Sequence, residues 1–522
     1  MTGELILDRL ARHVRERPNA PAVVALDGEG GASELSWAEL GARVERVAAA
    51  LHALGVQAGE PVAFQLPNGV EFLVAALATL RVGGICAPLM PIFRERELEL
   101  MLRQSAARVL FVPERFRGHD HEAMATSLSA CLPELEHVLV LGRDPLPGRG
   151  TPAKAAVYPP EHLAQLLFTS GTSGEPKGVL HSHGVLMQAA WAHIRHFGLD
   201  ASDVIYVPSP LAHQTGFLYG MWIALVLGAP QVLQPIWNPT IGLEAMRRFG
   251  VSFVQAATPF LADLVACARE RRARPEALRT FVATGAAIPR ELARTAREVL
   301  GGEVGGAWGT TETCLGSAFA PGEPAELAWS TDGRALAGVE LRVVDEHGRP
   351  LPPGEEGSFE VRTDCLFRGY LNRPEETAAA LTADGFYRTG DLARIDQRGY
   401  VRITGRIKDI VNRGGEKIPV AEIEELIYRH PAVREVAIVA MPDERLGERA
   451  CAFVVAEPDA ELDLAALREH LDAHRVTKTY WPEHLELVAA LPRTASGKVQ
   501  KYLLREHARA LARERSKEGA AR

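Results

Sequence analysis

The stretch Leu166-Leu167-Phe168-Thr169-Ser170-Gly171-Thr172-Ser173-Gly174-Glu175-Pro176-Lys177-Gly178-Val179 constrains this chain more than any other. An apolar, β-like run breaks off in hydroxyls and glycines, reaches a lysine, and resumes at Val179. Glycines such as Gly171 and Gly174 let successive backbone N–H groups converge on an anion. The hydroxyls of Thr169, Ser170, Thr172 and Ser173 add donors, and Lys177 supplies a point charge. The fold must therefore contain a strand whose exit can cradle phosphate. A Ser/Gly linker has a similar composition, but it would neither interrupt a strand that resumes nor carry Pro-Lys-Gly. A P-loop requires Gly-Lys followed by Ser or Thr and a helix. Neither Lys177-Gly178 nor Gly497-Lys498-Val499 meets that requirement.

The totals narrow the class. A chain of 522 residues is long for one hydrophobic core, so two or more domains are expected, and 47% hydrophobic residues support a fully folded protein. A formal charge of −8 argues against a nucleic-acid partner. No apolar run reaches the roughly 18 residues of a membrane span, and Asp8 and Arg9 interrupt the first apolar stretch, which is no signal peptide. Six scattered cysteines lack metal or redox spacing, so a cytoplasmic location is expected. Only eight of the 58 basic residues are lysines, and four of them (Lys177, Lys408, Lys417, Lys498) fall in glycine-bearing motifs. In a chain that uses Arg almost everywhere, a retained Lys marks a place for a compact ammonium on a flexible stem. Codon bias is the competing explanation.

Along the chain, helical patterns alternate with short apolar strands up to about residue 160, as in α/β layers. Ser36 followed by Glu39 predicts a capping box. Further glycine-bearing junctions follow: Ser209 to Gly216, containing His213; Thr280 to Pro289, containing Gly285-Ala286-Ala287; Gly305 to Glu312; Gly385 to Leu392, containing Asp391; and Asn412 to Pro419, containing Gly414-Gly415. Residues 330–363 read as a β-region, and a small α/β unit closes the chain. From Arg505 onward we expect a charged helix or frayed, inert tail.

With these motifs in this order, nearly the whole chain resembles the adenylate-forming superfamily of acyl-CoA synthetases, peptide-synthetase adenylation domains and luciferases. It is most similar to cyclohexanecarboxylate and medium-chain acyl-CoA ligases. The resemblance implies an α/β fold: a large N-terminal domain over 1–405 with two α/β sheets and a β-barrel-like region, a hinge over 406–410, and a small mobile α+β domain over 411–522. It implies that the cradle and Lys177 hold the ATP phosphates, and that Gly285, Ala286, Ala287 and Trp308-Gly309-Thr310 surround the adenine and α-phosphate. Thr311 and Glu312 complete that motif, with Glu312 as the Mg²⁺ ligand. Trp308 stands where Tyr is usual: stacking should survive, a phenolic hydrogen bond should not. Asp391 and Arg406 would contact the ribose, Lys408 would be the hinge pivot, and Gly414-Gly415 would approach the pantetheine of CoA. His213 would stand beside the carboxylate, with Gln214, Gly216, Gly306 and Ala307 around the acyl group and Phe217, Trp222 and Phe260 as further walls.

The expected reaction has two steps. A carboxylate and ATP give an acyl-adenylate and pyrophosphate, with Lys498 bridging the two anions. Rotation about Lys408 then admits CoA. The absence of Asp between Asp203 and Asp263 disfavours an α-amino acid, whose ammonium needs a counter-charge. An alicyclic, polycyclic or medium-chain acid is expected. A carrier protein in place of CoA would leave every motif unchanged. The partners implied are small molecules, and a homodimer stays open.

Overall fold

The computed structural model describes residues 4–141, 143, 158–169, 176–285, 288–414, 416–443, 445–458, 460–494 and 497–520, excluding the side chains of 408, 417 and 515–520. Two large sheets share one layer of apolar helices. The first has nine strands, in the order Arg334–Ala335, Cys314–Ala318, Glu303–Thr310, Thr280–Thr284, Phe253–Ala257, Ile205–Val207, Gln231–Leu233, Pro21–Leu26 and Ala32–Ser36. Its middle is parallel and its edges antiparallel. The second has seven strands, with Leu163–Thr169 between Ile85–Pro88 and Lys177–Ser182. Helices Trp37–Ala53, Val70–Arg81, His183–Phe197 and Ile223–Leu227 supply the core between them, together with the π-helical turn Phe217–Trp222. Val70–Arg81, Ile223–Leu227 and the π-helical turn are buried nearly all round, whereas Trp37–Ala53 keeps an exposed face with Glu39, Arg43 and Arg46. Ser36 and Glu39 form the capping box: Ser36 N–H donates to Glu39 Oε2 at 2.8 Å and Glu39 N–H to Ser36 Oγ at 3.3 Å.

A four-stranded antiparallel sheet follows: Val339–Val344, Gly357–Thr363, Tyr387–Ile395 and Val401–Arg406. The chain leaves it at Arg406, passes through a single 3₁₀ turn, Ile407–Asp409, and enters a five-stranded sheet at Val411–Arg413. That last sheet carries helices Val420–Tyr428 and Leu464–Ala473 on its own core. Its other face is covered by Lys501–Ala520, where Leu504 and Ala508 are buried against Ala437, Val439 and Phe453. The expected charged helix from Arg505 onward is present, but it is not inert, since Ala508 is buried against the sheet. Only a narrow apolar stripe in a charged helix meets the sheet, so the sequence shows little periodicity.

The topology makes a site at one edge. Parallel strands all expose the same end, and ligands gather in the crevice outside the carboxyl ends, where strand order reverses. Ile205–Val207 lies between Gln231–Leu233 and Phe253–Ala257, so that reversal falls at the strand leading to His213. The carboxyl ends of its neighbours lead to Pro259, Gly285 and Thr311-Glu312.

Candidate active site

The cradle is the tip of an antiparallel hairpin in which Thr169 pairs with Lys177 and Phe168 with Gly178. Thr169 Oγ1 donates to the Lys177 carbonyl at 3.5 Å. Ser170, Gly171, Thr172, Ser173 and Gly174 lie outside the described residues. Lys177 Nζ is 2.5 Å from Glu376 and 5.0 Å from the centre of the Tyr370 ring. The Tyr370 hydroxyl donates to Glu312 Oε1 at 2.9 Å and lies 3.4 Å from that of Tyr387. Tyr370 thus ties the cradle to Glu312.

Glu312 sits in the turn between Glu303–Thr310 and Cys314–Ala318. A Cβ on Gly309 would lie 2.3 Å from the Cys314 carbonyl, so only glycine allows this close approach. The hydroxyls of Thr310 and Thr313 are 3.2 Å apart, and Thr311 stands beside Glu312 at the tip. Glu312 fits a magnesium–nucleotide complex: one oriented carboxylate beside phosphates is the ligand set that Mg²⁺ takes.

On the barrel side, Trp308 Nε1–H donates to Asp391 Oδ2 at 2.9 Å and Arg406 Nε to Asp391 Oδ1 at 2.9 Å. The indole N–H of Trp308 thus has a buried acceptor of its own. Its ring packs edge-on to Phe359 at 4.7 Å and over Gly316, where a Cβ would come within 2.6 Å of it, leaving 8% of the residue exposed. Each Asp391 oxygen retains a lone pair for a further donor.

Lys498 comes from the small domain. Arg493 and Val499 bridge, and Thr494 N–H donates to the Lys498 carbonyl at 2.7 Å. Gly497 (φ +85°) closes this turn against Ala257 and Pro259 of the large domain, and Arg493 braces it, donating to the Gly497 carbonyl at 2.6 Å and to Glu435 at 2.6 Å. The Lys498 side chain then lies over Gly285, where a Cβ would be 3.1 Å from its Cε. Ala286 and Ala287 lie outside the described residues. Burial and then the Arg406 charge lower the Lys498 pKa, opposed by Asp391 and Glu312. His213 is pushed down to about 3 by burial and by Lys498, so its ring is neutral. Its Nδ1 accepts the Thr215 N–H at 3.2 Å, which assigns the ring proton to Nε2. Across the domain boundary Arg290 also pairs with Glu425 at 3.1 Å.

Gln214 follows His213 and is buried. A Cβ on Gly216 would strike the Pro210 carbonyl at 2.3 Å, so this glycine serves close packing. Strand alternation separates Gly306, which faces Thr331, Asp332 and Ile288, from Ala307, which faces the shared helix layer. Phe217 and Trp222 stack on each other in the core at 5.6 Å, and Phe260 packs on Trp237 at 5.0 Å. Lys408 lies within the 3₁₀ turn; its side chain and Gly415 lie outside what is described. The Gly414 N–H donates to the Leu446 carbonyl at 2.7 Å, within the small sheet. Sequence reasoning missed Tyr370, Tyr387, Glu376 and Arg493. Arg493 and Tyr387 carried a signal, their places in the lysine motif and in the Gly385–Leu392 junction.

Lys498, Gly285, His213, Asp391, Arg406 and Glu312 thus converge from two domains, and the fold defines a class, that of adenylate-forming enzymes. Residues 10–371 match the AMP-binding enzyme family and residues 422–498 the AMP-binding enzyme C-terminal domain. The chain belongs to the AMP-binding enzyme family. It is 38% identical over 466 residues to a medium-chain fatty-acid–CoA ligase of Escherichia coli (strain K12), covering 87% of this chain and 82% of that protein. It is 37% identical over 514 residues to a salicyl-AMP ligase/salicyl-S-ArCP synthetase of Mycobacterium tuberculosis, covering 96% and 90%. ATP-bound MatB from Rhodopseudomonas palustris superposes with a TM-score of 0.88 at 30% identity over 98% of this chain and 100% of that one. Apo MatB gives 0.76, so the chain is closer to the ATP-bound form. The protein is an adenylate-forming ligase, and among its described residues no helix is long and apolar enough to cross a membrane.

Proposed function

We propose that the protein activates an alicyclic, polycyclic or medium-chain carboxylic acid with ATP and passes the acyl group to CoA. The observation that carries this reading is the half-buried Lys498 of the small domain lying over Gly285, within the fields of Arg406, Asp391 and Glu312. A carboxylate oxygen attacks the α-phosphorus, the new O–P bond forms, and pyrophosphate leaves. Both reactants are anionic, so the rate comes from neutralising and aligning them. Lys498 neutralises the carboxylate and α-phosphate, and the cradle with Lys177 takes the departing pyrophosphate. Asp391 and Arg406 hold the ribose. Mg²⁺, held by Glu312, would add charge neutralisation at the phosphates. Rotation about Lys408 then withdraws Lys498 and brings Gly414 and Gly415 to the site. The CoA thiolate attacks the acyl carbon, the acyl–phosphate bond breaks, and AMP leaves. The neutral His213 and the Asp-free stretch around it favour an uncharged acyl group.

Likeness to the salicyl-AMP ligase supports a second acceptor, a carrier protein. ATP–pyrophosphate exchange across a panel of carboxylic acids tests the first step, with exchange expected for one of these acid classes. Acyl transfer from the best acid to CoA, compared with a phosphopantetheinylated carrier, tests the second. Exchange with no acid in the panel would contradict the proposal.

A further inference from the structure

One carboxylate of the small domain is gripped from both sides of the domain boundary. Glu425, on helix Val420–Tyr428, places Oε1 3.1 Å from Arg290 Nε and Oε2 2.9 Å from Arg402 Nη2, and both arginines belong to the large domain. Arg429, on the same helix as Glu425, adds a contact to Oε1 at 3.0 Å. The Glu425 side chain is only 15% exposed, and a carboxylate so covered depends on its partners. Two of those three partners are present only while the domains are docked.

The two arginines stand on elements that carry the active site. Arg290 opens helix Arg290–Leu300, which follows the Gly285 turn, and Arg402 lies on Val401–Arg406, the strand whose last residue holds Asp391. On the other side of the boundary, Glu424 accepts from Lys501 Nζ at 2.7 Å and from the Ile438 N–H at 2.6 Å. Lys501 begins the helix that follows the Lys498 turn. Adjacent glutamates thus join the elements of Gly285 and Arg406 to the turn that presents Lys498.

Elsewhere the boundary resists docking. Burial and then Arg406 disfavour the Lys498 charge. Burial raises the Asp263 pKa and Glu435 adds to it, against the Trp237 hydrogen bond and Arg493. Arg402 also faces the Asp332 carboxyl of its own domain, so it keeps a partner when the domains part, whereas Glu425 would keep only Arg429. Docking therefore gains most at Glu425.

We infer that Glu425 is a positioning residue for acyl-adenylate formation, setting through Arg290 and Arg402 the register in which the small domain brings Lys498 to Gly285. A contact made in one of two states shifts their balance toward that state. On the proposed rotation about Lys408, Glu425 leaves both arginines and so serves the first step alone. The inference rests on the role proposed for Lys498.

The test measures the two half-reactions separately in Glu425→Gln, which keeps the shape and removes the charge. The first is ATP–pyrophosphate exchange with cyclohexanecarboxylate, benzoate and octanoate. The second is thioester formation from the matching synthetic acyl-adenylates, with CoA or a phosphopantetheinylated carrier protein as acceptor. Exchange should fall by about five- to fiftyfold, the range for couplings of this kind, while thioester formation is not lowered. The double variant Arg290→Gln/Arg402→Gln should show the same split, and combining it with Glu425→Gln should lower exchange little further, because the three groups act as a unit. Arg429→Gln breaks no contact between domains and should leave both half-reactions near wild type. Equal loss of both half-reactions in Glu425→Gln, or wild-type exchange in that variant and in the double variant, would overturn this inference and leave the ligase reading standing. So would a loss of exchange in Arg429→Gln as large as in Glu425→Gln, which would mark a merely structural role in the helix. Exchange with none of the three acids in the wild-type protein, or undiminished exchange in Lys498→Ala, would overturn the reading beneath it as well.

Discussion

Lys177 is already engaged before any phosphate arrives. Glu376 holds its ammonium at 2.5 Å and is itself shared with Arg373 at 2.6 Å. On the proposed role of Lys177, the carboxylate occupies the partner position that an anionic phosphate would take, and nucleotide would displace it. Exposed pairs are weak, so the competition is mild. Glu376→Gln should lower KM for ATP by about two- to fivefold with kcat unchanged, read from steady-state kinetics at saturating acid. A raised KM would show Glu376 to be a ligand rather than a competitor. Lys498 adds a pH signature. Its pKa lies below the ordinary 10.5, so the charged form is disfavoured in the docked, nucleotide-free site. Docking is therefore opposed at neutral pH, and the opposition disappears as the pH rises through the folded pKa toward 10.5. Phosphates favour the cation and raise that pKa. The alkaline limb of adenylation should consequently fall at lower pH in kcat/KM, which reports the free enzyme, than in kcat. Coincident limbs would argue against Lys498 as the titrating group.

Among the elements, the C-terminal helix Lys501–Ala520 has the largest gap between appearance and role. Leu504 is 4% exposed against the small sheet, and Lys501 and Arg505 pair with Glu424 and with Asp409 in the interdomain 3₁₀ turn. Leu504→Ala should destabilise the small domain by about 2–4 kcal/mol, the range for truncating a buried leucine, measured by chemical denaturation. A loss under about 0.5 kcal/mol, as for a surface site, would return the helix to the status of a tail. The contrast shows what was legible in sequence. The strand pair flanking the cradle and the approach of Asp391, Glu312 and Lys498 to one another follow the order of the glycine-bearing motifs, because a strand must end where glycines and hydroxyls take over. Strand–turn–helix order gave the layers for the same reason. Tyr370 and Glu376 could not be read, because a lone tyrosine looks the same in a core as in a site and an acid on a charged helix looks like solvated surface. The Trp308–Asp391 bond joins positions 83 apart, and no local pattern announces it.

At the scale of the whole molecule, two domains share one active site without a continuous sheet between them. Among the described residues the contacts between them are largely polar, Arg290 and Arg402 with Glu425 and the Asp263 carboxyl facing Glu435 and Arg493, with Gly497 packed on Ala257 and Pro259. Interfaces of this kind permit relative motion, which the proposed two-step chemistry needs, because on that proposal Lys498 neutralises charge in the first step and would obstruct the acceptor in the second. The closer match to ATP-bound than to apo MatB fits the first of those states. The account stands on Lys498 serving only the first step, and measuring both half-reactions of Lys498→Ala tests this most directly. Acyl-adenylate formation should fall by about 10²-fold or more, the scale for losing one preorganised charge, while thioester formation from synthetic acyl-adenylate and CoA stays near wild type. Equal loss of both half-reactions would contradict it.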